Sequence, residues 1–193
     1  MLKHRLAAFA LLVAAGAPAH ARAQGHDPAA LLAAQRTAMA RLSNMDGVWR
    51  GPAWTLLPNG TRLDVTHTER AGPFLDGAVK VLEGRGYDAG GAVAFNAFAT
   101  ISYDPATQVY SMRSYAQGRS GDFVLTPTAN GGYTWEIPAG PMIIRYTATI
   151  RDGVWREVGD RIMPGREPVR FVEMNLRRVG DTDWPAAGAV SAH

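Results

Sequence analysis

The sequence predicts one all-β domain, an antiparallel up-and-down barrel of about ten strands preceded by a short N-terminal helix. From Asp46 onward, short segments of alternating apolar and polar residues replace helical periodicity. The connections between these segments are short, which favours antiparallel pairing of neighbours along the chain. A meander of this size without intervening helices closes on itself, because closure removes unpaired edges. The chain has 193 residues, enough for one such domain and too few for two.

The first residues predict a secretory signal peptide over 1–23. Lys3 and Arg5 form a basic start, residues 6–17 are apolar, and small residues within 19–23 supply a cleavage pattern. The apolar run is too short to span a bilayer as a mature helix, and an uncleaved N-terminal anchor is the alternative. The sequence has no cysteine, which excludes a lipid-anchored lipoprotein. We therefore expect a periplasmic or secreted protein without stable membrane insertion after signal removal.

Charge and cysteine content exclude several classes of function. The precursor carries 20 basic and 17 acidic residues, and loss of Lys3, Arg5 and Arg22 with the signal leaves 17 of each sign. A formally neutral mature chain gives no support for a nucleic-acid partner, which needs a clustered basic face. The absence of cysteine excludes disulfides, thiol catalysis and thiolate metal sites.

Residues 24–45 predict an N-terminal helix and its lead-in to the barrel. Asp27 is suited to cap the helix before Pro28 in the first turn, and the residues that follow are rich in Ala and Leu. Apolar side chains recur at helical spacing, so we expect the helix to cover the sheet. A membrane-surface helix is the alternative, but its polar face carries only Arg36 and Arg41.

Residues 46–180 predict the barrel, and residues 181–193 predict a flexible tail. Turn residues separate the strands, such as Asn59-Gly60, which favours the positive φ angles of a hairpin, and Asp104-Pro105. Gly72-Pro73 predicts the end of the second strand. In chain order, the predicted strands are 47–57, 62–70, 78–87, 93–103, 108–116, 122–126, 133–137, 142–151, 154–163 and 169–179.

Landmarks spread over the chain resemble those of known barrels. Gly47-Val48-Trp49 stands at the start of the first strand and Arg177-Arg178 at the end of the last. With the helix and the meander, they resemble the calycin superfamily, which includes lipocalins and fatty-acid-binding proteins. The finer resemblance is to bacterial exported proteins with lipocalin-like domains, the DUF1579 type. It rests on Leu42-x-x-Met45, Pro58-Asn59-Gly60, Gly86-Tyr87-Asp88, Ser102-Tyr103-Asp104 and residues 173–178.

The resemblance implies a structural role for the first landmark. In lipocalins the corresponding glycine and tryptophan close one end of the barrel beneath an arginine from the last strand. Carried over, Gly47, Trp49 and Arg177 or Arg178 form a latch, in which guanidinium over indole contributes about 0.5–2 kcal/mol. A ligand is then expected toward the opposite, open end.

Polar side chains that share a strand face with apolar ones are the candidates for lining a ligand cavity. These candidate ligand-binding residues are His67, Glu83, Arg85, Asn96, Arg113, Tyr115 and Glu173. A guanidinium beside a phenol, as in Arg113 and Tyr115, suits a carboxylate head group. The alternative is that the candidates lie at the rim or outside and pair with one another, because a register slip of one residue exchanges the two faces.

The sequence predicts no catalytic residue, no metal site and no cofactor. His67 is the only histidine of the predicted barrel, and no second histidine and carboxylate stand at ligand spacing. Residues 118–121 predict a hairpin turn, since no G-x-S-x-G elbow is present.

The leading hypothesis is an exported barrel that binds a small, largely apolar or amphipathic molecule. One alternative is an enzyme with His67, Glu83 or Glu173 as acid or base. The other is a non-catalytic periplasmic interaction module that uses an exposed sheet face, represented by Arg145 and Arg151. The oligomeric state is not predicted.

Overall fold

The computed structural model describes residues 27–186 and has the predicted fold class. A closed antiparallel barrel of ten strands follows one short helix, and β10 pairs with β1 to complete the ring. The strands are β1 Gly47–Leu56, β2 Arg62–Phe74, β3 Val79–Tyr87, β4 Val93–Asp104, β5 Val109–Ala116, β6 Arg119–Pro127, β7 Tyr133–Ala139, β8 Met142–Arg151, β9 Val154–Ile162 and β10 Val169–Gly180. The predicted signal peptide and residues 187–193 of the predicted tail lie outside the described residues.

The N-terminal helix covers one end of the barrel. Helix α1, Pro28–Met39, continues as a 3₁₀ helix, Ala40–Met45, and the Asp27 side chain accepts the Ala29 N–H at 3.0 Å as an N-cap. Met39, Met45 and the intervening Leu42 are buried against the core. No helix among residues 27–186 has the length and apolar character needed to cross a membrane.

The half of the barrel beneath this helix, called the closed half below, is filled by large side chains. Trp49 and Trp155 are each 1% exposed and meet edge to face with ring centroids 5.6 Å apart. The Trp49 indole N–H donates to the Met45 carbonyl at 2.8 Å. Ile101 and Leu176 are also fully buried here. The helix and the two indoles together close this end.

The proposed latch forms with a different contact from the one that the resemblance implies. Arg178 donates from Nε and Nη2 to the Asp46 carbonyl at 3.3 and 3.2 Å. Its guanidinium therefore binds the backbone just before β1 instead of stacking on the Trp49 indole. Gly47 has a φ of +127°, and a Cβ there would approach Arg178 Nη2 at 2.8 Å. Arg177 is exposed and pairs with Arg50 across the strands.

Strand β2 runs through Gly72 and Pro73 to Phe74, so the predicted break at this pair is wrong. A Cβ at Gly72 would collide with the carbonyl oxygen of Trp184, so glycine makes room for the C-terminal segment there. Trp184, placed by the sequence in the flexible tail, is half-buried beneath the Arg70 guanidinium, 4.3 Å from its ring centroid.

Candidate functional site

Of the seven candidate ligand-binding residues, His67 faces the barrel interior and the other six face outward. The His67 side chain is 9% exposed, and its ring lies 5.9 Å from that of Phe95. Arg70, Glu83 and Phe98 are cross-strand neighbours on β2, β3 and β4 and form a row on the outer face. The remaining outward candidates are Arg85, Asn96, Arg113, Tyr115 and Glu173.

The inward assignment of Glu83 and Arg85 is wrong because apolar residues on β3 occupy the outer face. Val81 is 5% exposed, yet it pairs with Gly72, the position over which Trp184 passes on the outside. The C-terminal segment therefore buries a valine from outside the barrel.

The inward positions of β3 carry residues that do not look like a core in the sequence. They include Lys80, which is 3% exposed and whose ammonium binds Asp46, together with two glycines.

The inward assignments of Asn96 and Glu173 are also wrong. Asn96 alternates with Phe95, which touches His67 inside the barrel, so Asn96 is exposed. In β10 a bulge between Arg170 and Val172 interrupts the alternation. Phe171 therefore lies inside, whereas Glu173, two residues on, faces out and binds Arg156.

Four of the outward candidates line a groove of about 540 Å³ on the outer face: Glu83, Arg85, Asn96 and Tyr115. Its Glu83 and Arg85 charges are paired, since Glu83 accepts hydrogen bonds from Arg85 and Arg70. Burial works against the ionised form of Glu83, but these hydrogen bonds outweigh it and lower its pKa. Arg113, expected to hold a ligand carboxylate beside Tyr115, binds Asp122 instead.

The open half of the barrel, away from the helix, has an aromatic wall. Trp135 of β7 stacks on Tyr146 of β8, with ring centroids 4.1 Å apart and planes 4° from parallel. Phe123 meets Trp135 at 5.1 Å, and Phe171 meets Tyr146 edge to face at 6.0 Å. These four residues are only partly buried. They form a continuous band of rings over β6, β7, β8 and β10.

The opposite side of the open half is a wall of small residues. Its members face inward on β3 to β6 and are Gly84, Gly86, Ala97, Ala99, Ser114, Ala116 and Gly121. Neighbouring side chains use part of the room that the glycines leave, since the Phe123 ring lies over Gly121. Ala97, Ala99, Ser114 and Ala116 keep some accessible surface although they face the interior.

A polar floor of His67, Glu69 and Glu157 lies between the two halves. His67 Nε2 and Glu69 Oε1 are 3.0 Å apart. Gly84 makes room for this carboxylate, because a Cβ there would stand 2.6 Å from Glu69 Oε1. Glu157 Oε2 accepts from the Tyr133 hydroxyl at 2.7 Å.

Glu157 is held from both halves, since Trp135 of the aromatic wall donates its indole N–H to Oε1 at 3.2 Å. Burial raises the pKa of Glu157, the charge of Glu69 adds to the rise, and the two hydrogen bonds oppose it. Burial also raises the pKa of Tyr146 to about 12. Both residues nevertheless keep accessible surface. Because Tyr146 and Glu157 both lie at inward positions, their accessible surface faces the inside of the barrel.

The floor was missed in the sequence because buried glutamates look like surface residues. A usable signal was present, since His67 and Glu69 stand two apart and so share a strand face, as do Tyr133 and Trp135. Between residues 27 and 186, no group of three or more His, Cys, Asp or Glu side chains is arranged to hold a metal ion.

Comparisons with known proteins support the fold. The chain matches no protein-family model and no curated protein. Rv2717c from M. tuberculosis is similar in structure, with 11% identity, a TM-score of 0.55 and coverage of 73% of this chain and 96% of that one. The S-type phycobiliprotein lyase CPES from Guillardia theta is similar with 7% identity, a TM-score of 0.50 and coverage of 73% and 92%. Both are calycin-like barrels, and at these identities the likeness shows the fold alone: this chain is a ten-stranded calycin-like barrel.

Proposed function

We propose that the protein binds a small, flat, largely apolar molecule between the aromatic wall and the small-residue wall of the open half. The observation that carries the proposal is the stacked pair of Trp135 and Tyr146, which keeps accessible surface inside the barrel across from inward positions occupied mostly by glycine, alanine and serine. An apolar space with a few polar anchors is the usual character of a small-molecule site.

The energetics favour a planar ligand. Each well-placed aromatic pair contributes about 0.5–1.5 kcal/mol beyond area burial. Burial of 100 Å² of apolar ligand surface adds roughly 2.5 kcal/mol. Trp135 is fixed by its hydrogen bond to Glu157 and by the Tyr146 ring, so this side chain loses little conformational freedom when a ligand binds.

The test compares two substitutions on one strand. Ser114→Phe places a ring in the proposed space, whereas Ser111→Phe places the same ring on the exposed outer face of β5. Isothermal titration calorimetry with 2-naphthylmethanol, a neutral planar probe, is expected to show one site that Ser114→Phe weakens about tenfold or more. Ser111→Phe is expected to leave the affinity unchanged.

Stability gives a second readout of the same space. If the space exists, Ser114→Phe fills it, whereas a fully packed interior makes the added ring cost about 1–3 kcal/mol through overpacking. The proposal is contradicted if the unsubstituted protein shows no saturable binding and Ser114→Phe loses much of its stability. Mass spectrometry of an extract of the denatured protein then identifies any ligand that co-purifies.

We also propose export, on the basis of the basic start and apolar run within residues 1–23. The likeness to exported proteins of the DUF1579 type belongs to the same proposal. Cell fractionation with N-terminal sequencing tests it, and an intact Met1 in the cytoplasmic fraction speaks against export.

A second candidate function is acid–base chemistry on the bound molecule. The specific observation is the pair of His67 and Glu69 beside Glu157, whose pKa is raised by burial. Conversion of a co-purified ligand, followed by mass spectrometry, should stop in His67→Gln and Glu157→Gln while ligand binding persists. Unchanged conversion in both variants removes this candidate.

A further inference from the structure

The polar floor offers hydrogen-bond acceptors to whatever occupies the open half. A neutral His67 that donates its Nε2 proton to Glu69 Oε1 leaves Nδ1 as an acceptor. Among residues 27–186, His67 Nδ1 has no hydrogen-bond partner, although the side chain is more than nine-tenths buried. Glu69 Oε2 also has no hydrogen-bond partner in that part of the chain, and the Glu69 side chain is 15% exposed.

Acidic groups dominate the charge of the floor. Glu69 and Glu157 lie close enough that the charge of Glu69 acts on Glu157. One of the nearby cations is paired in the closed half, and the other lies against a ring of the aromatic wall and not at the floor. Lys80 binds Asp46 in the closed half, and the Arg161 guanidinium lies over the Phe171 ring, 4.7 Å from its centroid, on the aromatic wall.

We infer that the ligand carries a hydrogen-bond donor at its polar end, and that its class is an arylalkylamine bound as the ammonium cation, with the rings against Trp135 and Tyr146 and the nitrogen at His67 and Glu69. The inference rests on the proposed function. An ammonium supplies three donors and no acceptor, which matches free acceptors on the floor. The faces of Trp135 and Tyr146 also attract cations.

The same charges disfavour the acidic head group that the sequence suggested. A carboxylate at the floor meets Glu69 and Glu157, whereas the Arg161 guanidinium lies on the aromatic wall, two inward positions of β9 beyond Glu157. Arg113, the expected partner of such a head group, binds Asp122 on the outer surface. The acceptors therefore select against fatty-acid-like ligands.

The test is a matched series with one ring system and three head groups. At neutral pH, calorimetry compares 2-naphthylmethylamine, 2-naphthylmethanol and 2-naphthoate. The amine is expected to bind about tenfold more tightly than the alcohol, because charge-assisted hydrogen bonds exceed neutral ones. The naphthoate is expected to bind most weakly.

Variants locate the selectivity. Glu69→Gln is expected to bring the amine-to-alcohol ratio close to one, mainly because the amine binds more weakly, and Glu157→Gln is a second variant should the first fail to fold. Glu83→Gln, a glutamate of the outer groove, is the control and should keep the full ratio.

The outcomes separate the two proposals. If the alcohol binds and the amine binds no better, or the naphthoate binds as tightly as the amine, the inference fails and the proposed function stands. A preference for the amine that survives in both Glu69→Gln and Glu157→Gln also overturns the inference. If neither alcohol nor amine binds, the proposed function itself fails.

Discussion

Replacement of Trp49 by alanine tests how the closed half is held together. The indole is 1% exposed, lies edge to face on Trp155 at 5.6 Å and donates a hydrogen bond to the Met45 carbonyl. Truncation of a buried tryptophan costs about 3–5 kcal/mol, and the range reflects how far neighbours relax into the cavity. Relaxation is limited here because a ring of strands and the helix surround the site, so we expect the upper part of that range.

Trp54→Ala is the matched control on the same strand. Trp54 faces outward opposite Glu173, and its ring lies 4.7 Å from the exposed Arg62 guanidinium, so its removal should cost much less than that of Trp49. Urea unfolding followed by far-ultraviolet circular dichroism measures both, since tryptophan fluorescence changes with either substitution. At roughly 2–4 °C per kcal/mol, Trp49→Ala should also lower Tm by about 10 °C or more. Equal losses in the two variants refute the account of the closed half.

Three further changes probe the barrel and its floor. Burial raises the pKa of Glu157 above 4.5, so the folded state holds the carboxyl proton more tightly than the unfolded state does. The tighter proton binding stabilises the folded state fully at acid pH, and this stabilisation is lost as the pH rises through the raised pKa of the folded state. Denaturant titrations should therefore show a smaller fall in unfolding free energy between acid and neutral pH in Glu157→Gln, and an unchanged fall argues against a buried acid. Asp46→Asn leaves the Lys80 ammonium buried without its partner and should lower the free energy of unfolding by about 3–5 kcal/mol. Lys80→Met should cost far less. The reverse order of denaturant midpoints for the two variants would count against the buried pair. A Cβ at Gly51 would collide with a backbone carbonyl of β10, so Gly51→Ala should lower the free energy of unfolding by about 1–3 kcal/mol. Gly180→Ala is the control, because open space surrounds Gly180, and it should leave the stability unchanged. Equal Tm values for the two variants would contradict the close approach of β1 and β10.

Alternation and turn residues were sufficient to predict the barrel. The Asn59-Gly60 hairpin, with Gly60 at a φ of +82°, follows from the preference of these residues for positive φ. All ten strands appear where alternation places them, and only their ends shift. The start of β6 moved to Arg119 because the turn before it needs only Gln117 and Gly118, both at positive φ.

The direction of side chains was harder to predict than the strands themselves. A strand pattern gives two faces but does not say which is inside when both carry apolar residues, as on β3, where Val81 is buried from outside by the C-terminal segment. The bulge before Val172 has no sequence signal, yet it puts Phe171 and Glu173 on opposite faces of the strand. Only His67, flanked by polar residues on a clearly alternating strand, was placed on the correct side.

The small-residue wall was present in the sequence but had no meaning without the register. Gly84 and Gly86 show no such role in the sequence, whereas in the barrel Gly84 admits the Glu69 carboxylate and Gly86 lies against Val65 and Phe95. Pairings between neighbouring strands bring such positions together, and the closure of β10 onto β1 sets them opposite the rings. Site prediction therefore failed at the step from strand pattern to three-dimensional neighbours.

The central claim is that a ligand binds inside the open half and not in the groove on the outer face. Both places have an aromatic pair, since Phe98 and Tyr115 lie 6.3 Å apart at the groove. Nuclear Overhauser contacts between bound 2-naphthylmethanol and the protein distinguish them directly. Contacts to the ring protons of Trp135 and Tyr146 are expected, whereas contacts to Phe98 and Tyr115 alone would put the ligand in the outer groove.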